Sequence, residues 1–259
     1  MKKTVIVVIV IAILAAIGFV GYKTINNQPI IVGPNGNTQN SGEPTQNEHV
    51  EDGAAAKVTV QAVTVKNQTD NIIINNVYPK ITSFTNKEFE NAINKRIATN
   101  IAEYANEINY VKNDDDPEAK LKLYKYVTTY KKYTWGNYLT LVVEQDYQTG
   151  GIRSNTWKDI YNIDVSKQRI IYLEDLFEAT VDYEKEIIDE ITKQAAQKNY
   201  KLMGGEGLSK LPTKQKFYIK EGKLYIYFDP SEAAAATYGA LEFEMPFVLN
   251  SNGCFELAK

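Results

Sequence analysis

The sequence predicts an α+β fold, with antiparallel sheet covered by two main helices and one transmembrane helix ahead of them. Three observations lead there. An apolar stripe at helical spacing follows a helix-start signature near residue 85, and a second such stripe lies near residue 190. Between and after them run aromatic and β-branched segments separated by short turns. Strands and helices alternate without the regular crossovers of a parallel sheet, which favours α+β over α/β.

The N-terminal element is the plainest. Thr4 to Tyr22 carries no charge, between Lys3 and Lys23. As a helix it would be roughly 28 Å long, close to the roughly 30 Å hydrocarbon core of a bilayer. Lys2 and Lys3 favour a cytoplasmic N-terminus, so residues after Lys23 are expected outside the membrane. Ala16-Ile17-Gly18 offers the only small-x-small cleavage pattern, yet bulky Ile17 sits within it and the apolar run continues through Phe19 and Val20. An uncleaved anchor is therefore expected, with secretion after signal cleavage as the alternative. From Thr24 to about Ala56 the composition turns to Asn, Gln, Gly, Pro, Ser and Thr, too poor in apolar residues to order itself. The expected organisation is an anchor at 1–23, a flexible tether at 24–56 and an outer domain at 57–259, with possible halves at 57–117 and 118–259.

Composition removes several function classes. The 259-residue chain has a formal charge of −3, and without Lys2 and Lys3 the outward part stands at about −5. No basic stripe is present for a nucleic acid. Cys254 is the only cysteine, so no intramolecular disulfide forms. A zinc site of the usual ligands cannot be assembled from one Cys and one His, and no cofactor is expected. A Ser-His-Asp triad would have to draw on His49, which lies in the tether.

Along the outer domain, Lys57 to Ala62 alternates as a half-buried strand, and Val63 to Val65 shifts the phase as a bulge would. Asn71 to Pro79 reads as a second strand stopped by its proline. Thr85 and Glu88 have the spacing of a capping box, with Phe84 and Phe89 as hydrophobic staple. Phe89, Ile93, Ile97, Ile101, Ala105 and Ile108 then form the buried stripe of a helix. The break at Asn113 to Pro117 holds three aspartates but lacks the glycine and distal glutamate of a calcium loop, so it reads as a solvated turn.

Leu121 to Tyr133, Tyr138 to Tyr147 and Thr156 to Val165 read as an antiparallel meander. It is rich in tyrosine, which either pairs across strands or builds a binding face for sugar or protein. Leu173 to Phe177 is a short helical turn, and Asp182 to Tyr200 a second helix with Ile187, Ile188, Ile191 and Ala195 inward. Gly204-Gly205-x-Gly207 follows a helix and lacks the lysine of a phosphate loop, so it reads as a helix exit. Phe217 to Phe228 is a hairpin turning at Glu221-Gly222, and Leu241 to Phe247 the last strand.

The order of these late segments carries a resemblance. Gly150-Gly151 is followed by Leu173-Glu174-Asp175-Leu176-Phe177 and a helix, then Phe217-Tyr218-Ile219, Leu224 to Pro230, and Glu232-x-Ala234 with Gly239. This resembles the paired extracytoplasmic domains of unknown function in the anti-sigma-V factor, which senses lysozyme, and in some peptidoglycan deacetylases, where they precede the catalytic domain. Val58 through Pro79 and the capped helix are similar to the first member of that pair. Two departures stand out: Ile152-Arg153 replaces a small residue and histidine, and Ser231 and Ala235 replace a tyrosine and a proline.

The resemblance implies a membrane-anchored, extracytoplasmic binding or sensing module of a Gram-positive-type envelope, with lysozyme, a peptidoglycan fragment or an envelope protein as partner. It implies no enzyme activity, since the deacetylase relatives hold their chemistry in a separate zinc domain. Only three residues precede the apolar run, so no sigma factor is expected as partner. The candidate ligand-binding residues are Tyr138, Tyr147, Arg153, Tyr161, Glu232 and Tyr238. A carboxylate-only glycan hydrolase, drawing on Glu144, Asp146, Glu232, Glu242 or Glu244, is the alternative, with an envelope scaffold as a third.

Overall fold

The computed structural model describes residues 53–111, 121–151, 153–203, 208–250 and 253–257. The expected anchor at 4–22, His49 and most of the tether, the Asn113–Pro117 break and Gly204–Gly207 lie outside the described residues. No described helix is long and apolar enough to cross a membrane.

A six-stranded sheet runs in sequence order: β1 (Val60–Gln68), β2 (Ile72–Ile81), β3 (Tyr124–Trp135), β4 (Tyr138–Thr149), β5 (Asn155–Asp164) and β6 (Arg169–Ile170). Helix α1 (Lys87–Val111) connects β2 to β3 and packs on both. A three-stranded sheet follows from β7 (Phe217–Lys220), β8 (Lys223–Phe228) and β9 (Leu241–Glu244), preceded by α2 (Tyr183–Gln197). β10 (Phe247–Leu249) and β11 (Phe255–Leu257) close the fold as a small antiparallel pair.

The α+β reading holds, with one departure from antiparallel pairing. β2 and β3 are parallel from Ile72 opposite Tyr124 to Asn76 opposite Thr128. A long connection containing α1 allows this, because a parallel pair needs a crossover that a tight turn cannot supply.

Five local expectations are corrected. Residues 60–68 pair one for one with residues 81–73, so no bulge interrupts β1, and residues 54–57 form a 3-10 turn before it. The phase shift at Val63 costs little because β1 is largely exposed. β2 does not stop at Pro79 but continues to Ile81. The Thr82 amide donates to the Thr59 carbonyl, which turns the Pro79 nitrogen away from β1. Beyond Asn76, β3 has diverged and asks no donor of that side.

The α1 cap sits one residue later than expected: Asn86 Oδ1 accepts from the Phe89 amide at 3.0 Å. Glu90, not Glu88, folds back to accept from the Phe84 amide at 2.8 Å, while Phe84 and Phe89 stack with centroids 5.7 Å apart. The last expected strand is two, β9 and β10, separated by Met245-Pro246. On α2, Asp182 is the N-cap, and Ile188 is only half-buried while Ile187, Ile191 and Ala195 are buried.

Two hydrophobic cores result. The first gathers Ile93, Ile97, Ile101 and Ile108 of α1 against Ile72, Ile74, Tyr126, Leu141 and Ile163 of the large sheet. The second gathers Ile187 and Ile191 of α2 with Phe217, Ile226, Phe228, Phe243 and Phe255. β7 contacts β3, β4 and β5, so the small sheet meets the large one. Asn162 bridges them, with Oδ1 accepting from Thr140 Oγ1 at 2.7 Å and Nδ2 donating to the Phe217 carbonyl at 2.7 Å.

Candidate functional site

Period-two alternation sends Trp157, Asp159 and Tyr161 of β5 to one face of the large sheet, together with Tyr126 of β3 and Gln145 and Tyr147 of β4. The C-terminal half of α1 lies over this face. Tyr104 touches Tyr126, Tyr147 and Trp157, with ring centroids 5.7, 5.4 and 4.9 Å away. Asn100, one turn earlier, donates to the Tyr161 hydroxyl at 3.1 Å.

A polar chain threads these rings. The Tyr126 hydroxyl donates to Gln145 Oε1 at 2.6 Å, and Gln145 Nε2 donates to Asp159 Oδ2 at 2.5 Å. Burial pushes the Asp159 carboxyl above the usual aspartate range, against the opposing pull of Lys216 and of amide hydrogen bonds from Gln145 and Asn100. Burial and the nearby Asp159 charge also raise Tyr104 and Tyr161.

Where this cluster reaches solvent at the C-terminal half of α1 it is acidic and aromatic, with the Arg96 guanidinium over the Tyr161 ring about two turns earlier on the helix. Tyr104, Trp157 and Asp159 are half-buried, and Glu103 and Glu107 are exposed beside them on α1. The last turn of α1 has no basic residue, although a helix C-terminus favours cations over carboxylates. Glu103 and Glu107 also form a like-charged i, i+4 pair, which disfavours the helix by a few tenths of a kcal/mol. Burial and the Glu107 carboxylate beside its hydroxyl raise the Tyr147 pKa, so Glu107 is tied to the cluster while the pair keeps negative charge at this surface.

The candidate residues named from sequence are spread over the molecule. Tyr147 and Tyr161 belong to this cluster, at 7% and 5% exposure, as the packed layer beneath its surface. Tyr138 lies at the start of β4, where its hydroxyl donates to the Gly253 carbonyl and burial pushes its pKa up to about 12. Arg153 is exposed after the β4–β5 turn. Glu232 and Tyr238 stand on the β8–β9 connection: Glu232 accepts from the Asp229 amide at 2.7 Å, and Tyr238 packs edge-on against Tyr200. Tyr104, Trp157, Asp159, Glu103 and Glu107 were not singled out from sequence. The carboxylate pair at helical spacing near the end of a predicted helix was the legible signal.

The acids considered for a hydrolase are each engaged. Glu144 and Glu242 share the Lys158 ammonium at 3.9 and 3.3 Å, and that ammonium also lies 4.6 Å from the Tyr227 ring centroid. Asp146 pairs with Lys125 at 2.6 Å. Glu244 pairs with Lys223 at 2.7 Å and accepts from the Tyr225 hydroxyl, which hold its pKa below the usual glutamate range. Among the described residues no group of three metal-ligating side chains converges. An open groove of about 710 Å³ lies elsewhere, between Trp135, Gly222, Lys223, Glu244, Pro246 and Val248.

Comparison with known proteins places the second core. Residues 174–248 match DUF3298, a protein family of unknown function. The match spans α2 and β7 to β9, including Glu232 and Tyr238; the Tyr104–Trp157–Asp159 cluster lies before it. The chain is also similar to the peptidoglycan-N-acetylmuramic acid deacetylase PdaC of Bacillus subtilis, 24% identical over 238 residues that cover 89% of this chain and 46% of that enzyme. The chain thus spans about half the length of the curated relative it matches. The similarity falls on the DUF3298 region of PdaC and not on its catalytic deacetylase domain.

Two solved DUF3298 structures share the fold. One, from Bacteroides fragilis, has a TM-score of 0.54 at 15% identity and covers 73% of this chain and 90% of its own. The other, from Pseudomonas aeruginosa, has a TM-score of 0.53 at 11% identity and covers 74% and 92%. The resemblance to the outer domains of peptidoglycan deacetylases drawn from sequence is met by these findings.

Proposed function

We propose that this protein is a non-enzymatic binding module of the bacterial cell envelope, held at the membrane through residues 4–22, with its C-terminal domain outside. The acidic, aromatic surface at the C-terminal half of α1 supports this reading most directly. Its ligand is a cationic cell-wall-degrading protein of the lysozyme type, for which Glu103, Glu107 and Asp159 supply charge and Tyr104 and Trp157 supply flat apolar contact. Similarity to the non-catalytic region of a peptidoglycan deacetylase is consistent with work at the cell wall.

The test is biolayer interferometry of the immobilised full chain against lysozyme, with soluble peptidoglycan fragments in parallel. Saturable lysozyme binding is expected, weakening with salt as surface electrostatics do. Reversing Glu103→Lys together with Glu107→Lys should reduce affinity by about tenfold or more. Binding of peptidoglycan alone, or lysozyme binding indifferent to the reversal, would move the ligand or the site elsewhere.

A further inference from the structure

β1 is one edge of the six-stranded sheet, and its second side pairs with no described strand. Thr59 accepts from the Thr82 amide and the Thr69 amide donates to the Ile72 carbonyl, so the odd-numbered residues of β1 turn their backbone groups toward β2. The even-numbered residues, Val60, Ala62, Thr64, Lys66 and Gln68, therefore turn theirs outward. Native sheets blunt such edges with proline, bulges or several charges. β1 has nine residues in uninterrupted register, no proline, and Lys66 as its one ionisable side chain.

The sequence of this edge complements itself. A two-fold axis through Thr64 pairs two copies antiparallel, with outward-turned residues meeting outward-turned residues: Thr64 faces Thr64, Ala62 faces Lys66 and Val60 faces Gln68. Val63 then faces Val65 twice, on the side where both already pack partly against the core. No like charges face each other. Followed past the strand ends, the register sets Asp70 against Val58, beside Lys57, at both ends.

The arrangement also closes. β6 at the opposite edge is only two residues long, and on the flank of β5 that it leaves uncovered the Lys158 amide is already taken by the Asp229 carboxylate at 3.1 Å. A sheet with one long free edge dimerises and stops.

We propose that the protein forms a two-fold dimer by antiparallel pairing of β1 with β1 of a second copy, centred on Thr64, with roughly ten ladder hydrogen bonds across the seam.

The test uses the full-length chain, purified in mild detergent, with Cys254→Ser to remove its single thiol. Thr64→Cys sets two thiols on directly opposed residues, within disulfide range, and mild oxidation should convert most of the chain to a covalent dimer. Lys66→Cys is the register control: the two copies of that position lie about 13 Å apart along the strand and should cross-link little. Thr64→Pro removes an outward amide and none of the β1–β2 bonds, so a parent of dimer mass by light scattering should fall to monomer mass. Equal cross-linking at 64 and 66, none at either, or a parent that stays monomeric at about 100 μM would overturn the proposal. If the proline variant loses its far-ultraviolet circular dichroism, the cysteine pair decides.

Discussion

Asn94 of α1 meets both backbone groups of Ile81: its Oδ1 accepts from the Ile81 amide at 2.8 Å and its Nδ2 donates to the Ile81 carbonyl at 2.7 Å. A side-chain amide thus stands in for the strand that β2 lost when β3 diverged beyond Asn76. Replacing it by leucine would leave a partly buried amide and carbonyl unmatched, at a cost of about 2–3 kcal/mol. Urea denaturation of Asn94→Leu should show that loss, whereas Lys95→Ala on the exposed side of α1 should stay within about 0.5 kcal/mol of the parent.

Two buried asparagines on the large sheet should behave oppositely. Asn162 is hydrogen-bonded to Thr140 and Phe217 at the junction of the sheets, so Asn162→Val should cost about 2–3 kcal/mol. Asn76 is fully buried, yet neither amide atom meets a partner among the described residues. Asn76→Val removes that desolvated amide and should be neutral or stabilising. Thermal melts of the two variants side by side check this, and a large loss from Asn76→Val would reveal a partner.

The raised Asp159 pKa has a definite sign. The native state holds its proton more tightly than the unfolded chain, so the contribution to stability is fully present below the unfolded value. It is lost as pH rises through the native pKa. Asp159→Asn keeps a neutral polar group and should therefore be at least as stable as the parent at pH 7, with the difference shrinking toward pH 3.5. A parent that gains on the variant as pH rises would contradict this.

Gly222 should be the least replaceable turn glycine. Its φ is +74°, and an added Cβ would come within 2.7 Å of the Trp135 indole. Gly136 has a φ of +53° with nothing within 4 Å of such a Cβ. Gly136→Ala should cost about 1 kcal/mol from backbone conformation, and Gly222→Ala clearly more because the indole must also move. Guanidinium melts rank the two; an equal cost would mean that Trp135 shifts freely.

Elements whose signals are local were legible before folding. The stripe from Phe89 to Ile108, the turns at Gly136 and Gly222 and the start of the second helix at Asp182 each report on a few neighbouring residues, and each appears where expected. The cap of α1 moved by one residue because Thr85 is taken up elsewhere: its hydroxyl accepts from Gln168 Nε2 at 2.6 Å, leaving Asn86 to cap. The candidate surface was legible only in part. Tyr147 and Tyr161 were among the tyrosines noted, but that Tyr104 lies over both Tyr147 and Trp157 depends on the path of α1 across the sheet.

By itself, then, the sequence determined the α+β class, the two helices, the meander and the resemblance, because periodicity, turn chemistry and motif order are properties of contiguous residues. Only the tertiary structure decided the parallel pairing of β2 with β3, the passage of β2 through Pro79, the rise of the Asp159 pKa and the place of β1 at the end of the large sheet's strand order. Each of these depends on which distant segment comes to lie alongside. Pairing partner, burial and the nearest charge are set between residues far apart in the chain, and no local pattern encodes them.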